Sequence, residues 1–373
     1  NIVWSGCYDG GLERFDLRTG YARDVRVWPE AGYGWKPADL KYRWHWNFPL
    51  AFSPHTRHRV YVGSQFVHKS DDGGQSWQVI SPDLTTNDKS KQEHTGGLTH
   101  DDVSPTYAAE ICTPAFGYGM EGILQANSHK LSGILNGVDR DVWNPSMDRY
   151  LPAHYSAKRR NPGKRNNKAA LLGHFCATVT DRLLSAPLLG SVSRLVEQKG
   201  IDLVLGAVPD LLARTNANFV FLGSGHHYFE NQLVDLSRQY PQRVFTHIGY
   251  SEEVAHQIEA GADIFLMPSR FEPCGLNQMI SQRYGTPPIV HRTGGLADSV
   301  THASPSALEA GEATGVVFDH FDAPALSWAM DFARNLYAEP SLLDGVRRAG
   351  METDFSWRRS GLEYERLYRQ VIQ

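Results

Sequence analysis

Within Pro268–Leu296, PSRFEPCGLNQMISQRYGTPPIVHRTGGL, a carboxylate, a helix start and a glycine pair fall inside one short run. Glu272 stands immediately before Pro273-Cys274-Gly275. Leu276, Met279, Ile280 and Tyr284 follow at helical spacing, which predicts a helix over 275–284. Gly275 allows close backbone approach to a ligand, and the first-turn amides of a helix, lacking internal acceptors, form an anion site. A phosphate on those amides and a sugar hydroxyl on Glu272 describe one chemistry, the holding of a sugar phosphate. The plainer alternative is loop punctuation, because Glu-Pro before a helix is an ordinary breaker.

These residues need a scaffold, and residues 182–373 supply the pattern of one. Apolar strand cores are predicted at Leu188–Val192, Phe219–Leu222, Arg243–His247, Ile264–Met267, Pro288–His291 and Gly315–Phe318. Helical spacing falls between them at Gly200–Leu212, Tyr228–Tyr240, Glu252–Ala260, Gly275–Tyr284 and Pro324–Tyr337, with a last helix in Ser356–Ile372. Strand and helix in strict alternation predict an α/β fold, a doubly wound parallel sheet covered on both faces. In such sheets ligands bind beyond the carboxyl ends of the strands, at the switch point. Arg194 and Lys199 follow the first strand, Gly249 and Tyr250 the third, Arg270–Asn277 the fourth, and Thr293, Gly294 and Gly295 the fifth. The bland alternatives are surface cations for Arg194 and Lys199 and loop packing for Tyr250.

Residues 103–181 read as mixed structure. Val103–Ile111 and Ile134–Val138 bracket FGYGMEG, whose Gly117, Gly119 and Gly122 suggest a loop leading into a helix at Gly122–Lys130. The basic run Lys158–Lys168, KRRNPGKRNNK, reads as a solvated linker between lobes, with anion binding as the alternative.

Residues 1–102 read as all-β. Short runs at Ile2–Trp4, Val25–Trp28, Val60–Val62 and Trp77–Ile80 are separated by Gly-, Asp- and Asn-rich turns, the pattern of successive hairpins. Trp4, Trp28, Trp35, Trp44, Trp46 and Trp77 read as core filling rather than a ligand box. Ser70–Trp77, SDDGGQSW, fits the Asp-box pattern S-x-D-x-G-x-x-W. Its aspartate bonds turn amides, its glycine takes φ > 0, and its tryptophan anchors the hairpin. The segment resembles a fragment of an Asp-box β-propeller; closure takes about four blades or more, beyond what this segment holds.

Bulk properties bound the partners. A chain of 373 residues, 41% hydrophobic, has enough apolar sequence for a sizeable core and two or three domains. Net charge −4 and a pI near 6.5 give no reason to expect nucleic acid or an anionic membrane surface. Cys7, Cys112, Cys176 and Cys274 are scattered without a CxxC, so neither zinc nor a disulfide framework is indicated and a reducing cytoplasm is expected. No segment approaches the ~20 apolar residues of a membrane helix, and no secretory signal is read at Asn1. Because it opens without Met, the sequence is expected to be processed or partial.

The Pro268–Leu296 run resembles the bacterial glycogen synthases and plant starch synthases. So do SRLVEQKGIDLVLGAVPDLL at Ser193–Leu212, FVFLGSG at Phe219–Gly225 and IGYSEEVAHQIEAGADIFLMPSRFEPCGL at Ile248–Leu276. VSPTYAAEI at Val103–Ile111 and HKLSGILNGVDRDVWNP at His129–Pro145 look like the end of that family's first lobe. Together these span about 270 of the 373 residues. The resemblance implies the two-lobed GT-B glycosyltransferase fold, with 103–181 a remnant of the first lobe and linker and 182–373 the nucleotide-sugar lobe. It implies retaining transfer of glucose from ADP-glucose, the donor substrate, to the non-reducing end of an α-1,4-glucan, without a metal or separate cofactor. By the same resemblance Arg194 and Lys199 neutralise the departing diphosphate, with help from the amides of Cys274, Gly275, Leu276 and Asn277. Glu272 orients the glucose, Tyr250 and Gly249 lie beside the adenine, Thr293, Gly294 and Gly295 add donor contacts, and Asn136 approaches the sugar from the first lobe. The last helix of this family crosses back toward that lobe.

The sequence departs from the family at three places. Asn277 stands where Thr is usual, and Ile280 where related transferases carry a second Glu. The first-lobe Lys-x-Gly-Gly-Leu loop has no match upstream of Val103; His94–Leu98, HTGGL, lacks the Lys and reads as coincidence. Three readings follow. One is an enzyme of glucan synthesis, impaired by absence of most of the first lobe unless a partner chain supplies it. Another is a non-catalytic nucleotide-sugar-binding fragment joined to propeller blades. The third is a chimeric gene product with its seam near Asp102-Val103.

Overall fold

A computed structural model describes residues 2–6, 10–29, 40–44, 48–56, 58–85, 87, 103–160, 162–176 and 178–372. Cys7, Trp35, Trp46 and the His94–Leu98 run lie outside the described residues, as does Asp102 at the proposed seam. The chain divides into two units, Asn1–Thr99 and His100–Gln373.

In the first unit β1 (Ile2–Gly6), β2 (Leu12–Asp16) and β3 (Tyr21–Asp24) form one antiparallel sheet. β4 (Leu50–Phe52), β5 (Val60–Gly63), β6 (Val67–Ser70) and β7 (Gln78–Val79) form a second. The Ser70–Trp77 turn has the geometry its residue types demand. Asp72 Oδ1 accepts from the amides of Gln75 (2.9 Å) and Ser76 (3.0 Å), and Asp72 Oδ2 from the Ser76 hydroxyl at 2.6 Å. Gly73 and Gly74 take φ of 72° and 89°, and Trp77 Nε1 donates to Val25 O at 2.9 Å. Trp4, Trp44 and Trp77 pack on Leu12, Val25 and Val62. Trp28 does not fill a core: it is 42% exposed and carries the Lys41 ammonium 3.2 Å above its ring. Val25–Trp28 is not a strand; the pairing stops at Asp24, and Leu12–Asp16, an unforeseen strand, takes the partner role.

The second unit opens with α1 (Pro105–Glu110), α2 (Glu121–Ala126), α3 (Gly163–Phe175) and α4 (Asp181–Ser185). Strand and helix then alternate through β8 (Leu188–Val192), α5 (Ile201–Arg214), β9 (Asn218–Gly223), α6 (His227–Gln239), β10 (Val244–Ile248), α7 (Glu252–Gly261) and β11 (Ile264–Met267). They continue through α8 (Asn277–Arg283), β12 (Pro288–His291), α9 (Gly294–Ser299), α10 (Pro305–Ala310), β13 (Val316–Phe318), α11 (Ala323–Ala338), α12 (Pro340–Glu352) and α13 (Trp357–Ile372). The six strands form one parallel sheet in the order β10-β9-β8-β11-β12-β13. The chain winds outward from β8 in one direction and resumes at β11 in the other, so the switch point lies between β8 and β11.

Strand side chains alternate between faces and serve two cores. Leu189, Phe219, Phe221, Leu266 and Ile289 pack with residues of α5, α6 and α11. Leu188, Val220, Leu222, Phe265 and Val290 pack with residues of α3 and α7. Helix starts are capped where short polar residues stand: Ser251 Oγ accepts from Val254 N at 3.3 Å, and Asp322 Oδ1 from Ala325 N at 2.8 Å. α8 starts at Asn277 rather than Gly275, because Gly275 adopts φ +72° and Leu276 becomes the cap residue. Gly117–Gly119 form a turn, with Tyr118 at φ 47° and Gly119 at φ 87°, ahead of α2, which ends at Ala126 before a 3-10 turn at Ser128–Lys130. α13 begins against residues 135–138: Val138 N donates to Phe355 O at 2.7 Å and Ser360 Oγ to Leu135 O at 2.6 Å.

The basic run Lys158–Lys168 is not a solvated linker. Its second half is the first part of α3, and Lys164, Asn167 and Lys168 are buried on one helix face. Lys164 Nζ donates to Tyr284 O (3.2 Å) and Thr286 Oγ1 (2.6 Å), and Lys168 Nζ to Ala186 O (2.6 Å) and Asp263 Oδ2 (2.5 Å). Buried ammonium groups require such partners, and none of these is near in sequence.

A second buried polar cluster ties residues 143–155 to α7 and α8. Asp148 Oδ2 accepts from Tyr284 OH at 2.5 Å and pairs with His256 Nδ1 at 2.7 Å, while the Trp143 ring stacks on His256 at 3.9 Å. Tyr284→Phe is expected to destabilise the second unit by about 1–2 kcal/mol, since it removes a donor from a buried carboxylate while keeping the ring; chemical denaturation measures it. No helix among the described residues is long and apolar enough to cross a membrane.

Candidate functional site

The loops leaving β8 and β11 meet at the switch point around a cleft of about 140 Å³, lined among others by Ser193, Arg194, Lys199, Glu272, Gly275 and Asn277. Lys199 ends a 3-10 turn at Glu197–Lys199 that closes on Gly200 in the left-handed conformation, φ 70°. A side chain at Gly200 would meet the Pro268 carbonyl at 2.1 Å, so glycine there lets the Lys199 turn lie directly on the β11 exit.

Lys199 Nζ stands 2.6 Å from Glu272 Oε2, an ion pair formed across the cleft. Glu272 is 6% exposed, and its Oε2 also accepts from the Ser269 hydroxyl at 3.0 Å. Arg194 is exposed at the cleft mouth, and Gln198 holds it. Arg194 Nη2 donates to Gln198 Oε1 at 3.2 Å, Gln198 Nε2 to Phe271 O at 3.4 Å, and Arg270 N to Gln198 O at 2.8 Å. Gln198 thus fastens the arginine loop to the glutamate loop. Asn277 Nδ2 donates to Val192 O at 2.7 Å, tying the start of α8 to the end of β8. This arrangement presents two cations and a helix mouth on one side and a carboxylate on the other, which suits a diphosphate joined to a polyhydroxylated ring.

Of the other predicted residues, Leu276 lies in the cleft wall and the rest fall around it. Cys274 is buried, and its Sγ accepts from Asn136 N at 3.2 Å; Asn136 Oδ1 is buried without a hydrogen-bond partner among the described residues. Leu276 lines the cleft and is 43% exposed. Gly249, φ 130°, and Tyr250, 80% exposed, follow β10 at the sheet edge, where Gly249 N donates to Gly223 O. The Tyr250 hydroxyl bonds Glu252. Thr293, Gly294 and Gly295 engage protein groups: Gly295 N donates to Glu272 O at 2.9 Å, Thr293 Oγ1 to Glu110 Oε2 at 2.9 Å and Gly294 N to Glu110 Oε1 at 3.0 Å.

Sequence reading missed Ser269, Gln198 and Glu110. The first two lie inside the quoted motifs but carry no spacing signal of their own. Glu110 lies in VSPTYAAEI, and its partners are 183 and 184 residues away. With Ser104 N donating to Pro273 O at 2.7 Å, residues 104–136 brace the loop carrying Glu272 from behind.

Residues 182–340 match the glycosyl transferases group 1 family. The glycogen synthase of Hydrogenovibrio crunogenus is 48% identical over 273 residues, which are 72% of this chain and 56% of that protein. The glycogen synthase of Thioalkalivibrio sulfidiphilus is 50% identical over 270 residues, 72% of this chain and 55% of that one. The chain therefore spans about half the length of the curated relatives it matches. Among solved structures, the catalytic domain of starch synthase IV from Arabidopsis thaliana, bound to ADP and acarbose, superposes with TM-score 0.66 at 37% identity, covering 72% of this chain and 55% of that one. A glycosyltransferase from Rickettsia africae, 15% identical, shares the fold at TM-score 0.52, covering 78% of this chain and 68% of its own. The six-stranded sheet is that of a lobe of the GT-B glycosyltransferase fold; residues 182–340 match the group 1 glycosyl transferases, and about 270 residues of the chain are similar to glycogen and starch synthases.

Proposed function

We propose that this chain transfers glucose from ADP-glucose to the non-reducing end of an α-1,4-glucan with retention of configuration. The single observation that carries the reading is the Lys199–Glu272 pair, 2.6 Å apart at the switch point, beside Gly275 and the start of α8. In the proposed reaction the bond from the glucose anomeric carbon to the diphosphate breaks. A bond from that carbon to the acceptor hydroxyl oxygen forms on the same face, and the hydroxyl proton passes to the leaving phosphate. Lys199 and Arg194 take the charge that develops on the diphosphate, the largest contribution such a site makes. Glu272 accepts hydrogen bonds from the glucose hydroxyls and keeps Lys199 aimed into the cleft. Tyr250 sits at the adenine end and Asn136 at the sugar end of this scheme. The match of the group 1 family from residue 182 onward supports reading 103–181 as the end of a first lobe and 182–373 as the nucleotide-sugar lobe. The first unit plays no part in the scheme.

The test is incorporation of labelled glucose into glycogen from ADP-glucose, with UDP-glucose alongside. The expected outcome is transfer with ADP-glucose preferred and Glu272→Ala inactive. ADP binding by calorimetry that is unaltered in both Glu272→Ala and Lys199→Ala would overturn the site.

A further inference from the structure

A large cavity of the second unit lies at the opposite end of the sheet from the donor cleft. It measures about 640 Å³ and opens where the amino ends of β8, β9 and β10 meet the α3–α4 connection. That volume is within the roughly 300–1,000 Å³ of small-molecule sites.

Its chemistry is one-sided. Arg182 and Arg243 line it, together with the carboxamides of Asn216, Asn218 and Gln242, and no carboxylate stands among its described lining residues. Arg243 gives hydrogen bonds only to neutral carbonyls among the described residues, those of Leu212 (2.7 Å), Thr215 (2.8 Å) and Ala217 (2.6 Å). It caps the carboxyl end of α5 and pairs with no carboxylate among the described residues. Burial, and then the positive charge of Arg182 nearby, push the Arg243 guanidinium below its usual value. The closest acid in sequence, Asp181, faces Arg165 at 3.8 Å. Asn218 is 2% exposed, and its Nδ2 is buried without an acceptor among the described residues. Phe175 and Tyr240 supply apolar wall. Two guanidinium groups without an ion pair among the described residues, beside the unsatisfied Asn218 Nδ2, describe a site suited to an anion.

We propose that this cavity is a second small-molecule site that binds an organic phosphate, with the phosphate toward Arg182 and Arg243 and the ring or apolar body against Phe175 and Tyr240. The site is separate from the donor cleft and does not depend on the function proposed for that cleft. Two positive charges favour a phosphate over a single carboxylate; Arg182 offers a planar fork, while Arg243 keeps its carbonyl bonds and contributes charge.

Cys176 is a free, half-buried thiol in the cavity wall and reports occupancy. The experiment measures alkylation of Cys176 by iodoacetamide, read by peptide mass spectrometry, with AMP, ribose 5-phosphate or inorganic phosphate present. Cys112, away from both sites, is the internal control. Alkylation of Cys176 is expected to slow about tenfold when AMP or ribose 5-phosphate is near ten times its dissociation constant, following one-site linkage. The protection is expected to vanish in Arg182→Gln, an exposed substitution on α4, and to persist in Lys199→Ala. Absence of protection by any of the three compounds, or equal protection in Arg182→Gln, overturns the proposal. So does loss of protection in Lys199→Ala, which would place the effect in the donor cleft. Protection by inorganic phosphate as strong as by AMP overturns the organic-phosphate assignment.

Discussion

Lys199→Ala is expected to lower glucose transfer from ADP-glucose by on the order of 100-fold to 1,000-fold, the loss seen when one well-placed charge-stabilising donor is removed. Two effects combine. In the proposed reaction the leaving diphosphate loses the cation that stands inside the cleft wall. Glu272, 6% exposed, keeps the Ser269 hydroxyl as its remaining donor among the described residues and becomes a nearly unpaired buried carboxylate. Lys199→Arg separates the two, because it restores charge without the compact geometry of the 2.6 Å contact. Partial recovery of ADP affinity with transfer still depressed is the expected pattern. Steady-state kinetics with calorimetric ADP titration on the three proteins reads it. Wild-type transfer by Lys199→Ala would remove Lys199 from the reaction.

Asp263→Ala is expected to destabilise the second unit by about 3–5 kcal/mol, the usual cost of stranding buried charges. Its carboxylate accepts from Lys168 Nζ at 2.5 Å, Leu188 N at 3.0 Å and Arg347 Nη2 at 3.1 Å, joining α3, the start of β8 and α12 to the start of β11. The expected fall in melting temperature is on the order of 10 °C. Burial by itself raises the Asp263 carboxyl, but the Lys168 and Arg347 charges and the Leu188 amide outweigh it and hold the group below the ordinary carboxylate range. A carboxyl depressed in the folded state contributes its full stabilisation above its unfolded value, about 3.9, and loses it as pH falls through the folded value. Thermal melts of wild type from pH 7 downward are therefore expected to fall steeply below about pH 4, and those of Asp263→Ala less steeply. Equal acid slopes for the two proteins would contradict that linkage.

The β–α alternation of the second unit was legible because its signals are local. Apolar runs at Leu188–Val192, Ile264–Met267 and Pro288–His291 are strands with those same bounds, and caps such as Ser251 stand where the helical spacing begins. Local signals failed where a partner lay far off. The KRRNPGKRNNK run reads as a linker only while Asp263, Tyr284 and Thr286 are out of view. In the first unit the turn chemistry of Ser70–Trp77 was readable, whereas the extent of strands around Val25 depended on pairing with Leu12–Asp16.

By itself, then, the sequence determined the succession of elements, a candidate set of residues for a sugar diphosphate and the family likeness, all of which depend on residue type and short spacing. Tertiary structure decided which groups meet: Lys199 with Glu272 across 73 residues, Lys168 with Asp263 across 95, and Glu110 with Thr293 across 183. Strand order brings those partners together. That order is a property of the whole packed sheet, where burying both faces at once selects one arrangement that no single window of sequence specifies.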